Sequence, residues 1–136
     1  MNRNNVPMHR ALRFLVVDDV STMRRIVCNL LLECGFADLG EADDGAAALT
    51  KLRAEHFDFV VCDIDMPKLN GLQFLAEAKK DPALMHIPVL MVAAEARKED
   101  ILQAAQLGAA GYIVKPFSKA TLEDKVMHTL KKLGLQ

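Results

Sequence analysis

Short, almost uninterrupted apolar runs return along this chain, and they constrain its fold more than any other feature. "RFLVV" (13–17), "FDFVVC" (57–62), "VLMV" (89–92) and "GYIV" (111–114) are each followed by a longer stretch of helical period. Strands so uniformly apolar have no face suited to water. They need cover on both sides, which a parallel sheet with helical crossovers supplies. "ADLGEA" (37–42) reads as a weaker strand of the same kind, giving five β-then-α units. The expected fold class is α/β, a doubly wound five-stranded parallel sheet with right-handed crossovers. A sheet of this kind places its site outside the carboxyl ends of its strands, at the switch point.

The helical stretches carry apolar stripes at spacings of three and four. The first is expected to turn Ile26, Val27, Leu30, Leu31 and Cys34 inward and to end at Gly35. The second starts near Asp44 with Ala48, Leu49 and Leu52 inward. The third buries Leu72, Leu75 and Ala76 and stops near Asp81-Pro82. The fourth spans about Lys98 to Leu107 and ends at Gly108. The last buries Leu122, Val126, Leu130 and Leu133. Its start is open between a Ser118 cap and a Thr121/Asp124 capping box. Residues 1–11 are expected to form a flexible extension, and 12–136 a single domain.

The net charge of −1 gives no electrostatic reason to expect nucleic acid or an anionic membrane as partner. Arg24-Arg25, Lys79-Lys80 and Lys131-Lys132 are scattered pairs expected on solvated helix faces. Three cysteines without CxxC spacing suggest buried thiols in a reducing, cytoplasmic setting. The four histidines lack metal-site spacing. The start "MNRNNVPMHRAL" reads as neither signal peptide nor membrane span.

The strand ends carry the chemistry. Asp18 and Asp19 follow the first strand, Asp63 the third, Ala93 the fourth and Lys115 the fifth. Carboxylates in one crevice raise each other's pKa unless a cation compensates. A hard divalent ion such as Mg²⁺ suits two carboxylates plus a phosphate. Lys115, restricted by Pro116, is the strand-end cation. Asp63, with Asp65 two residues on, is then the nucleophile on phosphorus, forming an acyl phosphate. Pro67 stiffens the loop that follows, and Asn70-Gly71 tolerates positive φ.

"LVVDD", "VVCDIDMPKLNG" and "GYIVKPF", in this order, make the chain resemble the receiver domain of two-component signalling over residues 12 to 133. "VVDDVSTMRRIVCNLL", "LMVAAEARKEDI" and "AAQLGAAGYIVKPF" are similar to its chemotaxis branch. The resemblance implies a flavodoxin-like (βα)5 fold with strand order 2-1-3-4-5. It implies Asp63 as phosphoacceptor, and Mg²⁺ held by Asp19 directly, by Asp18 largely through water, by Asp63, and by the backbone carbonyl of Asp65. Lys115 matches the lysine that contacts the phosphoryl group. Tyr112 matches an aromatic switch residue, outward when free and inward when activated. The face of helix four, strand five and helix five is where the family docks the flagellar motor switch protein and the chemotaxis histidine kinase. Lys98, Tyr112, Lys119 and Lys125 lie on or near it. A phosphatase is a further expected partner, and the protein is expected to be mainly monomeric, with no turnover beyond its own phosphorylation and dephosphorylation. With about three residues after the last helix, the receiver surface itself is the expected output.

Two features depart from the family's pattern. Ala93 stands where Thr or Ser is usual, and Ile64-Asp65 where close relatives carry Trp-Asn. The usual hydroxyl donates to a phosphoryl oxygen, a bond contributing roughly 1.5–3 kcal/mol. Its loss corresponds to about a 10- to 100-fold shift in the switch equilibrium. Hence an alternative: a weakly signalling receiver that serves as a kinase-docking module or phosphate sink. A third reading takes "DID" (63–65) as the opening of a haloacid-dehalogenase-type phosphatase. That fold begins its chain with the motif strand, whereas here the motif lies on the third.

Overall fold

The computed structural model describes residues 11–134. The elements run β1 (Arg13–Val17), α1 (Ser21–Glu33), β2 (Asp38–Ala42), α2 (Gly45–Ala54), β3 (Phe59–Asp63), α3 (Gly71–Lys80), β4 (Val89–Ala93), α4 (Lys98–Gln106), β5 (Gly111–Val114) and α5 (Lys119–Lys132). The five strands form one parallel sheet in the order β2-β1-β3-β4-β5. β1 and β3 lie side by side near its centre, with Val17 opposite Cys62, so Asp18 and Asp63 leave the sheet as neighbours.

The uniform apolar runs have a direct cause. Alternate residues of each strand feed two separate cores. Leu15, Val17, Val60, Cys62, Met91 and Ala93 pack with Ala48, Leu52, Leu75 and Ala104 on one face. Phe14, Val16, Phe59, Val61, Leu90 and Val92 pack on the other with Val27, Leu31, Leu122, Val126 and Leu130. The first core lies under α2, α3 and α4, the second under α1 and α5.

Caps mark the helix ends. Asp44 accepts from the Ala47 N–H and opens α2. Asn70 and Gln73 make a reciprocal capping box at α3. Ser118 accepts from the Thr121 N–H at 3.1 Å, which settles the start of α5 in favour of the serine. Gly35 and Gly108 lie just past α1 and α4, where the helices were expected to end, and both take positive φ.

Three inward expectations are corrected. Ile26 is 44% exposed, while Cys28 is buried. At 100° per residue Ile26 lies roughly 130° from the centre of the Val27–Cys28–Leu31–Cys34 stripe. Leu133 is 50% exposed because it is the C-cap, beyond the last turn of α5, and Thr129 is buried instead. Ala76 is only half-buried, and Phe74 and Ala78 fill the α3 interface. The expected extension falls almost wholly on residues 1–10, outside the described residues. Among the described residues no helix is long and apolar enough to cross a membrane.

Candidate functional site

The carboxyl ends of β1 and β3 bring three carboxylates together. Asp18, Asp19 and Asp63 each offer an oxygen, and these atoms lie within 4.8 Å of one another. Asp18 is held twice: its N–H donates to the Ala42 carbonyl at 3.1 Å, and its Oδ1 accepts from the Val20 N–H at 2.9 Å. Its Oδ2 remains, 3.7 Å from Lys115 Nζ. Asp19 is exposed.

Asp63 is buried at the tip of β3, with Oδ1 3.1 Å from Lys115 Nζ. That ion pair is not an aligned hydrogen bond, and Asp63 Oδ1 has no hydrogen-bond partner. Burial and the neighbouring Asp18 push its carboxyl up to about 6, although Lys115 pulls the other way. For Lys115, burial acts against the charged form. The pull of Asp63, Asp18 and Asp65 outweighs it, so its ammonium is held above the ordinary range. Three carboxylates converging on one crevice, with Lys115 as their counter-charge, fit a hard divalent ion.

The loop after Asp63 is folded tightly. The Ile64 N–H continues the ladder to the Val92 carbonyl, and the Ile64 carbonyl accepts from both Met66 and Gly71. A Cβ on Gly71 would run into the backbone of Asp63 and Ile64. Gly71 is therefore needed for close approach, as the first residue of α3, and Asn70 as its cap. The pair tolerates positive φ, but in this loop it is Lys68 that takes it, at 63°. Ile64 is buried in the core, so its effect is on packing.

The end of β4 presents a methyl group. Ala93 is buried, and its carbonyl accepts from the Lys115 N–H at 2.8 Å. Beside it a cleft of about 250 Å³ is lined by Asp65, Ala94, Glu95, Arg97 and Asp100. Tyr112 on β5 packs against the core that contains Ala93 and Ala104, and its hydroxyl donates to the Glu95 carbonyl at 3.0 Å. Burial, then Asp100 and Asp65, raise its phenol pKa. Lys98 on α4 and Lys119 and Lys125 on α5 are exposed. They sit on the helices that precede and follow β5, the strand that carries Tyr112.

Two features escaped the sequence reading. Arg24 is not ordinary solvated surface. Its Nη1 donates to the Asp18 carbonyl at 2.7 Å and its Nε to Glu41 Oε1 at 2.8 Å. A basic pair in a helix carries no sign of this. The Asn70–Gln73 capping box was legible from its spacing, but the Asn-Gly turn signal masked it.

The response regulator receiver domain family matches residues 14–127. Chemotaxis protein CheY-3 of Vibrio cholerae is 49% identical over 126 residues, covering 93% of this chain and 97% of that protein. Chemotaxis protein CheY of Pseudomonas aeruginosa is 49% identical over 115 residues, covering 85% and 93%. The solved structure of CheY4 from Vibrio cholerae superposes with a TM-score of 0.82 at 30% identity, covering 88% of this chain and 99% of that one. A putative response regulator from Chloroflexus aurantiacus gives 0.84 at 25% identity, covering 89% and 98%. The five-stranded sheet, its strand order and these likenesses together place the chain in the response regulator receiver family, as a relative of the CheY chemotaxis proteins.

Proposed function

We propose that the chain is a chemotaxis-type response regulator that accepts a phosphoryl group on Asp63 from a histidine kinase. One observation carries the reading. Asp63 is buried at a central strand end, faces Lys115 at 3.1 Å, and shares its crevice with Asp18 and Asp19. One Asp63 oxygen attacks phosphorus, the bond to the donor's leaving group breaks, and an acyl phosphate forms. Lys115 supplies positive charge where the phosphoryl oxygens gather it. Asp18, Asp19, Asp63 and the Asp65 carbonyl would hold Mg²⁺, which neutralises phosphoryl charge when bound. Residues 12–136 act as one receiver domain, cytoplasmic and mainly monomeric. The α4–β5–α5 face, with Lys98, Tyr112, Lys119 and Lys125, is the output surface for the flagellar motor switch, and a phosphatase resets the signal.

A second reading has its own support. Ala93 offers no hydroxyl to a phosphoryl group, and the Tyr112 hydroxyl donates to the Glu95 carbonyl. Phosphorylation then changes the output face little, and the protein acts as a kinase-docking module or phosphate sink. Capture of a flagellar switch protein, with and without beryllofluoride and Mg²⁺, separates the two. Capture that rises with the mimic in wild type but not in Asp63→Asn supports the phospho-switch. Kinase binding with no gain of switch binding supports the sink.

A further inference from the structure

We propose that Arg24 is a positioning residue for the acidic pair, held in that role by Glu41. The inference rests on the metal reading above and adds residues outside the strand-end cluster. Arg24 sits in the first turn of α1. Its guanidinium spans two partners, the Asp18 carbonyl at 2.7 Å and Glu41 Oε1 at 2.8 Å. Glu41 is anchored in β2, in register with Val16 of β1. One side chain thus joins α1, the end of β1 and β2.

What Arg24 grips is the peptide group linking Asp18 to Asp19. Asp18 has its own anchors through Val20 and Ala42. Asp19 is exposed, and among the described residues its carboxylate has no hydrogen bond. The direction of Asp19 therefore follows from the backbone that Arg24 clamps. The planar fork presents its two donors in fixed, separate directions, whereas a lysine ammonium is a point charge on a flexible stem and fixes no such geometry. Partners that orient metal ligands commonly change metal affinity by about 10- to 100-fold when removed.

Electrostatics alone predicts the opposite sign. Arg24 is a cation beside a cation site, so deleting it should tighten metal binding, and deleting Glu41 should weaken it. Positioning predicts weakening in both cases. The charge-neutral double variant Arg24→Ala/Glu41→Gln separates the accounts further. Charge alone returns it to wild-type affinity, whereas positioning leaves it as weak as Arg24→Ala.

The test measures the Mg²⁺ dissociation constant by calorimetry and by the Mg²⁺-dependent shift of the urea midpoint, with no phosphorylation involved. Wild type, Arg24→Ala, Arg24→Lys, Glu41→Gln and the double variant are compared. Arg24→Ala should raise the constant roughly 10-fold, with the double variant no different from it. Arg24→Lys keeps the charge and the fold, and should still bind Mg²⁺ more weakly than wild type. Unchanged or tighter binding in Arg24→Ala, wild-type affinity in Arg24→Lys, or recovery in the double variant overturns the role of Arg24. Absence of Mg²⁺ binding in wild type overturns the metal reading itself, and the proposal with it.

Discussion

Replacing Asp63 with asparagine should make the metal-free protein more stable at neutral pH. The Asp63 carboxyl is held near 6 against an ordinary 3.8, chiefly by burial and then by Asp18. At about 1.4 kcal/mol per pH unit, that difference corresponds to roughly 3 kcal/mol. The native state binds this proton more tightly than the unfolded chain does. Wild-type stability therefore falls as pH rises from about 4 to about 6, and stays lower above. The asparagine side chain of the D63N variant has no proton to lose and keeps a neutral group in the crevice. The assay is urea denaturation with chelator present, at pH 4 and pH 7, on both proteins. D63N should exceed wild type by up to about 3 kcal/mol at pH 7, with a much smaller gap at pH 4. Excess Mg²⁺ should narrow the pH 7 gap, because an ion that binds the carboxylate stabilises wild type through its folded form. Equal stability at pH 7, or a gap of the same size at both pH values, would refute the reasoning.

Two further substitutions probe the strand ends. Ala93→Thr should restore a donor worth roughly 1.5–3 kcal/mol to a phosphoryl oxygen. Tyr112 is the only tyrosine and there is no tryptophan, so intrinsic fluorescence quenching reports its burial alone. Quenching should respond to beryllofluoride more in the threonine variant than in wild type, and equal responses would sink the account of Ala93. Gly71→Ala should cost about 1–3 kcal/mol in chemical denaturation, because the added methyl meets the backbone of Asp63 and Ile64. A cost no larger than that of an exposed helical glycine would contradict the close approach.

The sheet was legible because its signal is local. Each strand is a short apolar run, and each site residue stands at or just past the end of one, so topology alone gathers Asp18, Asp63, Ala93 and Lys115. Features that depend on contacts distant in sequence were not legible. Arg24 acquires its role only when β2 lies against β1 and brings Glu41 within 2.8 Å. Ile26 shows the limit of reading stripes by eye. It sits beside Val27 in the sequence, but the 100° step carries it away from the core. The Asn70-Gly71 pair carries a turn signal, yet tertiary approach decided its use. The space against Asp63 admits no side chain at position 71, and the positive φ of this loop falls on Lys68. Ala93 is different again. Its methyl means little in isolation and becomes a missing donor only beside the family's usual hydroxyl.

The central claim is that Asp63 takes a phosphoryl group in a Mg²⁺-dependent reaction. Intact-mass measurement after incubation with acetyl phosphate tests it most directly, on wild type and Asp63→Asn, with Mg²⁺ or with chelator. The account predicts one added phosphoryl group on wild type with Mg²⁺, and none on the variant or in chelator. No addition to wild type, or addition retained by the variant, would contradict it.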